Sequence, residues 1–88
     1  MGQRRKSNVQ LRSVVIVKWG DAFIDTNDFK AAEADSTSYI VRNTVGFLVA
    51  KNQHGYVLCT DTFDDSDDLS AKMFIPHGMV LKVTRLKQ

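Results

Sequence analysis

At eighty-eight residues the chain has room for one domain with a single modest core and not for two. Hydrophobic residues at 43% and charged residues at 25% argue against wholesale disorder, and a net charge of +2 is too small to imply a nucleic-acid partner by itself. One cysteine, Cys59, excludes an internal disulfide. With no apolar run near the roughly 18 residues of a membrane span and no signal-peptide pattern, the expected compartment is the cytoplasm.

Residues 1–12 are polar and basic without periodicity, and read as a flexible tail ahead of a domain at 13–88. Arg4, Arg5, Lys6 and Arg12 give that tail an alternative reading as a phosphate-binding arm. Residues 13–19, Ser-Val-Val-Ile-Val-Lys-Trp, are dominated by β-branched side chains that suit a pleated surface, and predict the first strand. Gly20 and Asp21 are expected to end it.

Four potential N-caps at 25–28, followed by Phe29-Lys30-Ala31-Ala32-Glu33-Ala34, predict a short helix of about two turns with Phe29 and Ala32 on its buried side. Such a helix needs packing against the rest of the fold to form. Residues 39–41 read as an extended lead-in. Residues 44–51 alternate, with Val45, Phe47 and Val49 on one face and Gly46, Leu48 and Ala50 on the other. Asn52-Gln53-His54-Gly55 then predicts a hairpin turn with Gly55 available for positive φ. Residues 56–62 return as the third strand, and the aspartate-rich stretch 61–68 reads as a solvated loop. A fourth strand at 71–75 and a fifth at 79–86 are joined by a tight 3₁₀ turn at Pro76-His77-Gly78. Five closely spaced strands predict a small closed or nearly closed β-barrel.

Few residues suggest chemistry. Asp64-Asp65-Ser66-Asp67-Asp68 lacks the central Gly and closing Glu of a calcium loop. His54 and His77 have no Cys-x-x-Cys or His-x-x-x-His partners for zinc, and Cys59 in mid-strand reads as a small buried hydrophobe. No cofactor, metal or enzymatic activity is expected. Two constellations remain as ligand or partner sites. The first is Trp19 with Asp21: the ring either caps the core, the favoured reading, or offers a stacking face. The second is basic, formed by Lys82, Arg85 and Lys87 with Lys18 alongside, for which a solvated strand exterior is the favoured reading; Lys82 and Thr84 share one face of the last strand and Arg85 points the other way. Tyr56 is a second stacking candidate. Several strands are apolar on both faces, as with Val14 and Ile16 against Val15, Val17 and Trp19. A small barrel fills only its inside, so self-association is expected.

The segments Val15-Ile16-Val17-Lys18-Trp19-Gly20-Asp21-Ala22, Thr44-Val45-Gly46-Phe47-Leu48-Val49 and Ile75-Pro76-His77-Gly78-Met79-Val80, in that order and spacing, resemble a group of small phage and prophage proteins of unassigned function. Where many of that group carry a second Trp after the Asp-Ala, this chain has Phe23 and Phe29. The resemblance implies an SH3-like (Sm-like) barrel and brings no established activity with it. The function expected is that of a non-enzymatic phage or prophage accessory protein acting as a protein–protein interaction module. Its partners would be itself and a host or phage protein; the alternative is an Sm-like nucleic-acid or nucleotide-binding module.

Overall fold

The computed structural model describes residues 12–86. Residues 1–11, which hold most of the expected basic tail, and Lys87 lie outside the described residues. The fold is mainly β. Its strands are β1 (Val14–Asp21), β2 (Ile40–Lys51), β3 (Gly55–Cys59), β4 (Asp61–Thr62), β5 (Leu69–Ser70), β6 (Met73–Pro76) and β7 (Val80–Arg85). Five of them form one antiparallel sheet in the order β6-β3-β2-β1-β7, and β4 pairs with β5 in a separate two-stranded ribbon.

Strand β1, with its β-branched run, lies between β2 and β7, paired on both sides. It pairs with β2 from Val14↔Phe47 to Asp21↔Ile40, and with β7 from Val15↔Arg85 to Trp19↔Val80. Period-two alternation puts Val15, Val17 and Trp19 on the inner face, where they form the core with Leu58 and Ile75. Leu48, Met73, Val80 and Val83 close around them.

The structure corrects four expectations. β1 does not end at Gly20 but continues through Asp21, because residues 40 and 41 pair with it as part of β2 rather than as a loose lead-in. The helix expected around residues 26–34 is absent. Asn27 N–H instead donates to Asp25 Oδ1 in a local turn (3.0 Å), and a six-residue 3₁₀ segment, Ala31–Ser36, follows. It has no buried residue, and Phe29, expected inside, is 71% exposed. Without an apolar face to pack, so short a segment gains too little to propagate as an α-helix. Gly55 does not have positive φ; the Asn52 side chain makes the turn, its Oδ1 accepting from the N–H groups of His54 (2.8 Å) and Gly55 (3.1 Å). Finally, the stretch at 61–68 is not loop throughout. Asp61 and Thr62 pair with Ser70 and Leu69, leaving the remaining aspartates on the turn of a small ribbon.

The register of β2 against β3 skips Val49, which stands as one extra residue between Leu48↔Leu58 and Ala50↔Val57. The carbonyl of Val49 accepts a hydrogen bond from Arg12 Nη1 (3.2 Å). The expected 3₁₀ turn before the last strand is present at His77–Met79 and lies against both β1 and β3.

Ala71, between β5 and β6, is the described non-glycine residue with positive φ, at 62°. A Cβ makes this left-handed conformation unfavourable by about 1–2 kcal/mol. Ala71→Gly relieves that cost while adding freedom to the unfolded chain, worth about 0.4–1 kcal/mol in the other direction. The expected net result is a stabilisation of up to about 1.5 kcal/mol, read as a higher urea midpoint, whereas Ala71→Val should lower it. A lower midpoint for Ala71→Gly would contradict the reading.

Candidate interaction surfaces

Six of the residues singled out from sequence, Lys18, Trp19, Asp21, Tyr56, Lys82 and Arg85, lie among the described residues and are scattered over the fold. Trp19 is 9% exposed and belongs to the core, where its indole Nε1–H donates to Thr44 Oγ1 (2.9 Å). Its ring is therefore unavailable for stacking. Asp21 is tied to Arg42, whose Nε donates to Oδ2 across the β1–β2 ladder. Both side chains are partly solvated, so this pair contributes little to stability.

Tyr56 packs edge-on against His77, with ring centroids 5.3 Å apart and planes at 73°, and Lys51 Nζ lies 5.6 Å above its ring. His77 Nε2 is 2.7 Å from the carbonyl oxygen of Asn52. A carbonyl only accepts, so Nε2 carries the hydrogen. His77 N–H also donates to the His54 carbonyl (3.1 Å). Tyr56 and His77 thus clasp the β2–β3 turn to the 3₁₀ turn before β7, a role that sequence reasoning missed. The turns at 52–55 and 76–78 were each visible, but nothing in the sequence placed the two together.

The basic residues divide between the two faces of the sheet. Lys18 and Lys82 are direct cross-strand neighbours on the outer face, both exposed. Arg85 lies on the inner face, where Nη1 donates to Ser13 Oγ. There it joins Arg12 and Lys51 around a cleft of about 580 Å³ with a floor of Leu48, Val49 and Ala50. Among the described residues that line this cleft, the charged ones are Arg12, Lys51 and Arg85. Arg12 and Lys51 were not grouped with Arg85 in the sequence, since they are 73 and 34 positions from it; the β1–β7 and β1–β2 pairings bring all three to one end.

The other end of the β1–β2 ladder carries residues 22–38, an arm with every side chain exposed. Phe23 (45%), Ile24 (91%) and Phe29 (71%) are among its exposed residues. With Tyr39, these two Phe rings line an open cleft of about 710 Å³ that also includes Asp25 and Glu33. The Tyr39 ring folds over Gly20, where any Cβ would come within 2.7 Å of it.

Cys59 is 2% exposed, and burial pushes its thiol above its ordinary value. Arg12 opposes that shift and Asp61 adds to it. A protonated, buried thiol is a poor nucleophile. The native protein should therefore leave Cys59 unmodified by an aromatic disulfide reagent at neutral pH and release one thiol equivalent per chain in denaturant. Rapid stoichiometric reaction of the folded protein would contradict this.

Among the described residues, no helix is long and apolar enough to cross a membrane. No protein-family model, curated protein or solved structure matches the chain.

Proposed function

We propose that this chain is a non-enzymatic phage or prophage accessory protein that works in the cytoplasm as a protein–protein interaction module and associates with itself. The observation that carries the reading is the distribution of apolar surface. Among the described residues, twelve large hydrophobic side chains are exposed and only six hydrophobic residues are buried. The exposed set includes Val41, Val45 and Phe74 on the outer face of the sheet, and Leu81 on edge strand β7. So much unpartnered apolar surface on so small a domain is the mark of an interaction protein. The non-enzymatic part rests on the candidates for chemistry: Cys59 is a buried thiol and His77 is committed to Asn52.

The scaffold proposed for this role is an SH3-like barrel. Its support is the connection between the two edges. β6 and β7 lie at opposite sides of a five-stranded sheet, yet three residues in a 3₁₀ turn join them. In a flat sheet those edges would stand about 19 Å apart, at about 4.8 Å per strand, whereas a 3₁₀ segment rises only about 2 Å per residue. Strong coiling brings the edges to the distance the turn can span.

Sedimentation equilibrium on protein freed of nucleic acid tests the association. A dimer or larger species at micromolar concentration is expected, and the monomer mass throughout that range would overturn the reading.

A second reading, binding of nucleic acid or a nucleotide, draws on Lys18 and Lys82. Like charges directly opposite one another on a sheet destabilise it, and a bound phosphate would offset that repulsion. The other candidate contacts work against this reading: Trp19 is in the core, Tyr56 is engaged with His77, and Arg85 is on the opposite face. Anisotropy titration of a labelled oligonucleotide separates the two readings, because phosphate contacts make affinity fall steeply with salt.

A further inference from the structure

The two ends of the β1–β2 ladder are opposite in charge, one carrying an acidic arm and the other a basic cleft. Residues 22–38 contain Asp25, Asp28, Glu33 and Asp35 against the single cation Lys30, a net charge of −3. At the base of this arm, Asp21 is neutralised by Arg42. The arm leaves the sheet at the Asp21↔Ile40 pair. The cleft holding Arg12, Lys51 and Arg85 lies beyond the Val14↔Phe47 pair, seven positions along the ladder and roughly 23 Å away at about 3.3 Å per residue. The arm presents exposed Phe and Ile side chains among acids; the cleft presents an apolar floor of Leu48, Val49 and Ala50 under three cations. Among the described residues, the cleft within the arm is lined by arm residues and Tyr39, and its Phe23 and Phe29 side chains stay exposed.

Resting on the self-association reading, we propose that the arm at residues 22–38 of one copy docks into the Arg12–Lys51–Arg85 cleft of the next, giving a head-to-tail assembly. The outer face of the sheet is the poorer contact between copies. A symmetric contact centred on the Lys18–Lys82 pair would bring the lysines of two chains together, and like charges at an interface are unfavourable. Docking an arm at one end into a cleft at the other is a heterologous contact. It closes into a ring or extends into a filament according to the rotation between copies.

The test uses two charge-reversed full-length proteins, each checked for fold by far-ultraviolet circular dichroism. Asp28→Lys with Asp35→Lys brings the arm to +1, and Lys51→Glu with Arg85→Glu turns two cations of the cleft into acids. By sedimentation equilibrium, each variant alone should be monomeric at concentrations where the parent is assembled. An equimolar mixture should regain species of at least two chains, since the acidic arm of the second variant meets the intact cleft of the first. Phe29→Ser, an uncharged change at an exposed position, should weaken parent assembly by about tenfold or more, the value of one buried aromatic contact. A parent that is monomeric overturns both this inference and the self-association reading. A parent that assembles, with both reversed variants assembling equally well, overturns the inference alone. So does a mixture that stays monomeric, or assembly that needs added nucleic acid.

Discussion

Trp19→Ala is expected to destabilise the fold by about 3–5 kcal/mol, the usual range for removing a large buried aromatic side chain. The ring is 9% exposed and shares the core with Val15, Val17, Leu58 and Ile75, so the cavity would open in the middle of a small cluster with few neighbours able to collapse into it. Such a loss threatens the whole stability of a domain of ordinary size. The indole also donates to Thr44 Oγ1, a partner left behind by the substitution. Trp19→Phe keeps most of the apolar volume and loses that donor, so its cost should be nearer 1–2 kcal/mol. Urea unfolding of the three proteins measures both effects. The fluorescence of the parent should lie at short wavelength and shift to the red on unfolding. A stable Trp19→Ala protein, with parent emission already that of solvated indole, would falsify the inward placement.

Gly55→Ala should be about as damaging, for a different reason. Gly55 sits opposite Pro76 where β3 meets β6, and an added Cβ would lie 2.2 Å from the carbonyl oxygen of Ile75 and 2.9 Å from the Cα of Pro76. These are backbone atoms, which cannot swing aside as a flexible side chain can. Relief requires β3 and β6 to separate, and Ile75, fully buried, moves with β6. A loss of about 3 kcal/mol or more is expected, at the upper end of overpacking costs. Gly78→Ala is the matching control. Its Cβ meets nothing within 4 Å and its φ is not positive, so it should be neutral or stabilising by about 0.4–1 kcal/mol through the unfolded chain. Equal unfolding midpoints for the two variants would contradict the assigned role of Gly55.

The contrast between those glycines also shows where sequence reasoning ran short. Gly55 in Asn-Gln-His-Gly has the appearance of a turn glycine, and the turn is there. Its necessity, however, comes from the approach of Ile75, twenty residues away, and no local pattern encodes a strand arriving from that distance. The expected helix failed for a related reason: Phe29 and Ala32 had suitable spacing, but no surface of the sheet received them. Likewise, Lys82 and Arg85 were legible as basic positions on opposite faces. Their actual neighbours, Lys18 for one and Ser13 for the other, follow from β1–β7 pairing.

Local composition determined the β character of the chain, the β-branched first strand with its inward Trp19, the hairpin at residues 52–55 and the tight turn at 76–79. These features depend on contacts within a few residues: rotamer crowding, period-two alternation, and the turn geometry of Asn, Gly and Pro. Tertiary structure alone decided the sheet order β6-β3-β2-β1-β7, the clasp of Tyr56 and His77 beneath Lys51, and the gathering of Arg12, Lys51 and Arg85 opposite an acidic, apolar arm. Strand pairing joins residues tens of positions apart. Its register is selected by which side chains fill the shared core, a property of the assembled sheet and not of any single segment.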